Sequence, residues 1–486
     1  MIKAEESTSS REGDVDVIVL GVGTCGEDLS LQLLDAGLNV VGIEASLIGG
    51  ECAYWACIPS KIMIRAANAL SEAGQVGNLA GNAQVKPDWS PVAKRVREAT
   101  GSWDDSTATE RYEKRGGRLI HGHGKLSGPH TVTVGDEEIT AKRGIVIATG
   151  SKPAIPPIPG LAEIDYWTTH DVIQAQNLPR SLIVLGGGPV GCELAQLLAR
   201  FGVAVTIVQR NERLLPRSEP EASELLKDAL ISEGISVYNG SSTRQVNSLN
   251  GSIIVTLDDG TELTGERLLV ATGRQVDLSG LNLEPAGLDS TAPLIRVDER
   301  MRASDGIWAM GDVTGKALFT HVALYQSAIV ASDILGKVHP PAKYNAVPGV
   351  VFTNPEIGAV GLTETEARDA GLEIVVAVKQ LPSTFRGFID AEKCGIIKVV
   401  VDRKTGILVG ATAAGRQAGE MLGFLSLAVH MRVTLDDLRS MIYAFPTFYG
   451  SIGEAIGGIG RGLTTVIDPG YQGLKELDQA GRDKPD

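Results

Sequence analysis

The first forty-odd residues change hydrophobic period twice. Val15 to Leu20 form a largely apolar run of strand length, which breaks at Gly21-x-Gly23-x-x-Gly26. A helix-like stretch follows, and a second apolar strand ends at Glu44. Strand, helix and strand in this order predict one βαβ unit with buried parallel strands. The pattern returns in "RSLIVLGGGPVGCELAQLLARFGVAVTIVQRNERLLP", where Gly186, Gly188 and Gly191 open the helix and the second strand ends near Val208. Each unit is followed by an apolar strand that ends in Ala-Thr-Gly, "GIVIATGSKP" at residues 148–150 and "RLLVATGRQ" at 271–273. The chain thus carries an internal repeat of arrangement with little repeat of sequence.

Between the first unit and its Ala-Thr-Gly, the spacing predicts a helix over residues 58–73. A polar, turn-rich region then runs to Gly117, and short strands follow in "GRLIHGHGKLSGPHTVTV". After the second Ala-Thr-Gly, "GIWAMGDVTG" is an apolar strand that delivers Asp312 to a turn. From about residue 346 the glycine fingerprints stop, and mixed strands and helices predict an α+β domain. The boundaries read as a disordered tail at 1–13, a discontinuous first domain at 14–158 and 281–345, a second domain at 159–280, a third at 346–468, and a polar tail at 469–486.

A length of 486 residues fits about three domains. A net charge of −14 speaks against nucleic acid, because phosphate binding needs clustered Lys and Arg. No apolar run reaches the roughly 18 residues that a membrane helix needs, and no partner membrane is expected. The polar N-terminus lacks the apolar core of a secretory signal, so a cytoplasmic location is expected. Five cysteines in such a length are no disulfide framework.

The glycine fingerprints carry chemistry. They let the backbone turn sharply and approach a pyrophosphate at the positive end of a helix. Glu44, 23 residues after Gly21, stands where a carboxylate accepts from a ribose hydroxyl. Two such folds imply two dinucleotides, with a flavin and a nicotinamide as the economical pair. "GGECAYWACIPSK" places Cys52 and Cys57 at the start of a helix, where a small disulfide loop can close and the helix terminus favours thiolate. No second Cys/His pair stands at zinc-ligand spacing, and no metal is expected. Cys25, Cys192 and Cys394 have no partner in sequence and read as small packing residues.

In order, these motifs, with "VVFTNPEIGAVGLTE" after them, make residues 14 to 465 resemble the class I flavoprotein disulfide reductases, which include dihydrolipoamide dehydrogenase, mycothione reductase and mercuric reductase. The resemblance implies an α/β fold with two Rossmann-like dinucleotide-binding domains, for FAD and NAD(P)H, and a C-terminal α+β dimerisation domain of a homodimer. It implies that Gly21, Gly23, Gly26, Glu44, Gly50, Gly124, Thr149, Gly150, Asp312 and Thr320 serve FAD. It places Lys61 and Glu193 as the family's ion pair beside the flavin. Gly186, Gly188, Gly191 and Gly273 would line the nicotinamide cleft. Cys57 would face the flavin, and Cys52 would face outward and attack substrate.

Two positions depart from the family pattern. In "IYAFPTFYGSIGEAI" the Pro446-Thr447 frame is intact, but Phe445 stands for the proton-donating His and Gly450 for its Glu. Tyr443 and Tyr449 carry phenols whose ordinary pKa of about 10 makes them poor bases at neutral pH. Ordinary disulfide substrates become less favoured. The C-terminal "GYQGLKELDQAGRDKPD" contains no Cys, which speaks against the metal hand-off of mercuric reductase. Open alternatives are a thiol or disulfide that needs no help, a quinone-like acceptor reduced directly from flavin (a diaphorase), a mercuric reductase-like activity, and a non-catalytic flavoprotein. In the second fold Gln209 replaces the acid that binds a ribose 2′-OH, and Arg210 follows. NADP(H) is therefore expected over NAD(H).

Overall fold

The computed structural model describes residues 15–459 and the backbone of Val466–Ile467. The expected tails, 1–13 and 469–486, lie outside the described residues. The chain divides into two compact units, one of residues up to Pro59, Arg97–Lys152 and Arg274–Lys343, the other of Ser60–Val96, Pro153–Gly273 and the chain from Tyr344.

In the first unit, Val15–Leu20 lies between Val40–Glu44 and Glu137–Ile147, all parallel, with Leu20 opposite Ile43 and Ile147. Arg118–His121 extends the sheet beyond Val40–Glu44, and Ile307–Ala309 extends it beyond Glu137–Ile147. Both faces of the central strands are covered, and Val17, Ile18, Val19 and Leu20 are buried. That double burial explains an unbroken apolar run where a one-faced strand would alternate. Helix Thr24–Asp35 packs against helix Thr320–Ile334. Ser327 Oγ donates to Asp28 at 2.6 Å across that contact.

The second unit holds a smaller parallel sheet in the order Ser236–Asn239, Ala204–Gln209, Ser181–Leu185, Arg267–Val270. An antiparallel meander, Thr243–Leu249, Ser252–Leu257 and Glu262–Gly265, lies in sequence between its strands Ser236–Asn239 and Arg267–Val270. The C-terminal sheet runs Pro348–Val351, Glu356–Gly361, Leu408–Gly415, Ile396–Asp402, Ile374–Gln380 and Val466–Ile467. Helices Ala418–His430 and Phe448–Gly458 bury Leu422, Leu425, Ile452 and Ile456 in one core with Ile397 and Val399 of this sheet.

Two local expectations change. The first long helix runs Cys57–Leu79, past the expected end, because Gly74 and Gly77 sit on an open face where glycine costs only about 1 kcal/mol each relative to Ala. The turn-rich region contains helices Ser90–Ala99 and Ser106–Lys114. The first buries only Val92, Ala93 and Val96, a stripe too thin to stand out from its charged neighbours.

Candidate active site

The two dinucleotide folds repeat at atomic detail. Strand Val15–Leu20 ends in Gly21 at φ +91°, where a Cβ would lie 2.5 Å from the Ala148 carbonyl oxygen. In the second fold Gly186 has φ +109° and a Cβ there would lie 2.3 Å from the Ala271 carbonyl oxygen. Ala148 and Ala271 donate their N–H to Leu20 and Leu185, at 2.7 and 2.8 Å. Each Ala-Thr-Gly thus packs directly on its own fingerprint turn, which only glycine permits.

Gly23 and Gly188 are the N-caps of helices Thr24–Asp35 and Pro189–Arg200, and no side chain caps either one. Gly26 and Gly191 lie in their first turns. Free helix N-termini over glycine turns fit the pyrophosphate of a dinucleotide. Glu44 turns back and accepts the N–H of Val22 at 2.7 Å and of Ser46 at 2.8 Å. Burial pushes its carboxyl up, opposed by those backbone hydrogen bonds. Gln209 occupies the matching place. Its Oε1 accepts the N–H of Gly187 at 3.4 Å, and its Nε2 donates to the Arg213 carbonyl at 3.2 Å. Arg210 beside it is exposed.

Other expected cofactor positions fall as follows. Thr149 and Gly150 follow the Ala148 contact, and Gly50 opens the short helix Gly50–Tyr54. Gly124 begins strand Gly124–Leu126, where a Cβ would meet the Leu20 side chain at 2.6 Å, so packing alone accounts for its lack of a side chain. Asp312 lies in the turn Gly311–Thr314 and accepts from Ser151 Oγ at 2.5 Å. Gly273 accepts the Ala154 N–H at 2.9 Å.

Cys52 sits within helix Gly50–Tyr54, and Cys57 opens helix Cys57–Leu79. Both are half-buried free thiols, and their side chains share a hydrogen bond. Cys57 Sγ lies 3.3 Å from Thr320 Oγ1, the first residue of helix Thr320–Ile334. The Cys52 thiol is pushed up, first by its bond to Cys57 and then by burial, while the Thr320 and Thr24 hydroxyls act the other way. Two neighbouring free thiols in hydrogen-bond contact are the arrangement expected of the reduced form of a redox couple. By contrast, burial pushes up the thiols of Cys25, Cys192 and Cys394.

Two residues around the couple, Trp55 and Glu51, meet partners far along the chain. Trp55, between the cysteines, stacks on Trp103 with ring centroids 5.7 Å apart. Trp103 is held by its Nε1–H to the Tyr54 carbonyl at 3.3 Å and by a turn in which Gly101, Ser102 and Trp103 all have φ near +60°, at 57°, 57° and 62°. Glu51, immediately before Cys52, accepts from Arg274 Nη1 at 3.0 Å.

In the second unit, Lys61 Nζ and Glu193 Oε2 meet at 2.7 Å, with the Glu193 side chain only 6% exposed. Glu193 also accepts the Phe352 N–H at 2.8 Å, and the Lys61 ammonium lies 4.9 Å from the centre of the Phe352 ring. The ion pair expected from positions 132 residues apart is direct and fixed at both ends.

Phe445 is 71% exposed and packs edge-on against Phe385, with centroids 5.2 Å apart. The two rings line a cavity of about 310 Å³ with Tyr443, Pro446, Gly450 and Glu454. No histidine lines it. Glu454 is one helical turn after Gly450 on helix Phe448–Gly458 and brings a carboxylate to the same cavity. Its i,i+4 spacing was the available signal. Tyr443 spends its hydroxyl on the Leu438 carbonyl at 2.9 Å, and burial beside Tyr449 pushes its phenol up to about 12. It is unsuited to proton transfer at neutral pH.

With this geometry in place, sequence comparison decides the family. The pyridine nucleotide-disulphide oxidoreductase profile matches residues 15–331, and the dimerisation domain profile of the same family matches residues 347–456. The chain belongs to the pyridine nucleotide-disulphide oxidoreductase family. It is 33% identical over 451 residues to mercuric reductase of Staphylococcus aureus, covering 90% of this chain and 81% of that protein. It is 32% identical over 464 residues to dihydrolipoyl dehydrogenase of Chlorobaculum parvum, covering 93% and 98%. Among solved structures, the HOCl-induced flavoprotein disulfide reductase RclA of Escherichia coli superposes with a TM-score of 0.81 at 26% identity, covering 92% and 100%. LpdA of Mycobacterium tuberculosis superposes with a TM-score of 0.81 at 26% identity, covering 91% and 99%. As a family member the chain is an oxidoreductase with the two dinucleotide folds and dimerisation domain that its sequence predicts. Among the described residues, no helix is long and apolar enough to cross a membrane.

Proposed function

We propose that the protein is an FAD-dependent, NADPH-preferring homodimeric oxidoreductase of the cytoplasm that works through a Cys52–Cys57 disulfide. The contact between these two thiols, at the start of a long helix and against Thr320, is the observation that carries the reading. Gly21, Gly23, Gly26, Glu44, Gly50, Gly124, Thr149, Gly150, Asp312 and Thr320 are assigned to FAD. Bound there, FAD supplies a two-electron relay between a reduced nicotinamide and the disulfide. Gly186, Gly188, Gly191, Gly273, Gln209 and Arg210 are assigned to the nicotinamide coenzyme, and Lys61 with Glu193 to the electron-transfer step. Gln209 brings no negative charge toward a 2′-phosphate, and Arg210 offers a positive one.

The substrate step rests on the chain's own sulfurs. The Cys52 thiolate attacks one sulfur of a disulfide acceptor, whose S–S bond breaks and whose other half leaves as thiolate. Cys57 then attacks Cys52 Sγ, expels the second thiol, and closes the Cys52–Cys57 bond. General acid help is typically worth about 10²–10⁴-fold, and Phe445 supplies none. The acceptor favoured is therefore one whose thiol leaves without a proton, or a related small molecule. A quinone-like acceptor reduced without the cysteines is the second reading, favoured by Phe445, which leaves no proton donor for a departing thiolate.

Cys52→Ser separates the two. NADPH-dependent reduction of a low-pKa aromatic disulfide should fall by at least about 10²-fold, because the attacking thiolate is gone. Unchanged turnover would take the disulfide off the path and leave the quinone reading.

A further inference from the structure

Thr24 joins the first fingerprint turn to the helix that carries Cys52. It is the first residue of helix Thr24–Asp35, and its Oγ1 donates to the Gly49 carbonyl at 2.9 Å. Gly49 is the N-cap of helix Gly50–Tyr54, and its own N–H donates to the Val22 carbonyl at 2.8 Å. Gly23 and Gly49 pair there as an isolated parallel bridge. The Thr24 hydroxyl also hydrogen-bonds the Cys52 sulfur. The turn itself does not require it. In the second fold Pro189 fills the matching position, directly after the N-cap Gly188, and its helix starts in the same way. A hydroxyl in this place is therefore free to serve the sulfur.

We propose that Thr24 is a catalytic residue of the redox couple, its hydroxyl turning from the Gly49 carbonyl to the Cys52 sulfur when that thiol ionises. The proposal rests on the reading of Cys52 as the outward, attacking thiol. As a thiol, Cys52 can donate to Thr24 Oγ1 while the Thr24 proton stays on the Gly49 carbonyl. Once Cys52 has lost its proton to solvent, its sulfur only accepts, and the Thr24 O–H rotates to donate to it. No bond between heavy atoms forms or breaks. A hydrogen bond donated to the charged form favours that form, so Thr24 opposes the Cys57 contact and the burial that push this thiol up. Thr320 acts in the same sense from its own helix and lies 3.3 Å from Cys57 Sγ as well. The charged side chains on the surrounding elements have partners of their own. Glu27 pairs with Arg111, and Asp28 accepts from Gln32 and Ser327. Glu51 meets Arg274, Asp312 accepts from Ser151, and Asp105 accepts the Ile48 N–H. Of the other titrating groups, Cys57 bonds Cys52 directly, burial pushes Cys25 up, and His321 stacks on Phe319.

The test uses the holoenzyme, reduced anaerobically with dithiothreitol, freed of it, and alkylated with iodoacetamide across pH. Mass spectrometry maps the modified residue. Thr24→Val keeps the shape and removes the hydroxyl, and it should raise the midpoint of the Cys52 alkylation profile by about 0.5–1 pH unit. That is the size of one hydrogen bond to a charged group, less the Gly49 bond given up for it. The Cys52 rate at neutral pH should fall about 3- to 10-fold with the thiolate fraction. Thr24→Ala should shift alike, and Thr24→Ser, which restores the hydroxyl, should stay close to wild type. A merely structural role would lower the melting temperature and leave the midpoint in place. An unmoved midpoint in Thr24→Val and Thr24→Ala, or a Thr24→Ser shifted as far as they are, overturns the proposal. Alkylation of wild type at Cys57 instead of Cys52 overturns the reading of the outward thiol and the proposal with it, and the mapping alone shows this.

Discussion

Glu44 and Gln209 stand at the same place in two copies of one turn, and the exchange of a carboxylate oxygen for an amide nitrogen is what the proposed NADPH preference rests on. Each side-chain oxygen accepts the N–H one residue past the first fingerprint glycine, at 2.7 Å in one fold and 3.4 Å in the other. The acid suits an unmodified ribose, whereas the amide leaves room for phosphate beside Arg210. Gln209→Glu should therefore lower kcat/KM for NADPH relative to NADH by about 10-fold or more, the size of one repulsive carboxylate at a phosphate. Steady-state kinetics with both coenzymes measures it, and an unchanged ratio would remove Gln209 from the specificity. At this scale the sequence was informative wherever a residue's placement depends on its own motif, as for Glu44, Cys52, Cys57, and the Lys61–Glu193 pair. It was silent on Arg274 and Glu51, 223 positions apart, because neither sits in a pattern that names the other. Glu454 stands one turn beyond Gly450, the position that the family pattern fills, and so outside that pattern.

Between elements, the C-terminal sheet is pinned to the nicotinamide-type fold by a buried lysine. Lys398 of strand Ile396–Asp402 is 2% exposed and meets Glu219, Glu221 and Glu364 at 2.9, 2.8 and 2.9 Å. Glu219, 1% exposed, is the N-cap of helix Pro220–Ser232 and also accepts the Glu364 N–H at 2.7 Å. Burial alone would pull the lysine down, but its three carboxylate bonds outweigh that and raise it. Burial would lift Glu364, but Arg368 and Lys398 hold it below the usual carboxylate range. A raised lysine contributes fully below its unfolded pKa of about 10.4 and is lost only in strong alkali. A lowered glutamate contributes above about pH 4.3 and is lost as pH falls through its folded value. The cluster's contribution is thus flat through neutrality and fails on the acid side. Lys398→Ala should destabilise by about 3–5 kcal/mol, because it strands a buried Glu219 charge, and adding Glu219→Gln should recover part of the loss. Denaturant melts of the single and double variants at pH 7 check this, and an equal loss in both would show that packing, not charge, dominates. Nothing in the apolar run around Lys398 names the carboxylates that it meets. Its burial depends on a helix almost 180 residues away.

For the molecule as a whole, the repeated dinucleotide folds were legible because each writes its strand, turn and helix locally and in order. The short helices at Ser90–Ala99 and Ser106–Lys114 were not, because each buries only two or three side chains and takes its form from packing. The surface of the dimerisation domain exposes Phe385, Phe388, Ile389, Ile442 and Phe445, with Ile442 96% exposed. Such an apolar surface marks an interaction site and accords with a second copy of the chain covering it. The central claim is that NADPH delivers its electrons to one cysteine pair, and thiol counting tests it most directly. The protein, denatured anaerobically and titrated with a thiol reagent, has five cysteines to count. With one pair closed, about three should react in the oxidised protein, and about five after reduction by NADPH, with Cys52 and Cys57 as the two gained. The same count before and after NADPH, or a gain elsewhere, would contradict the account.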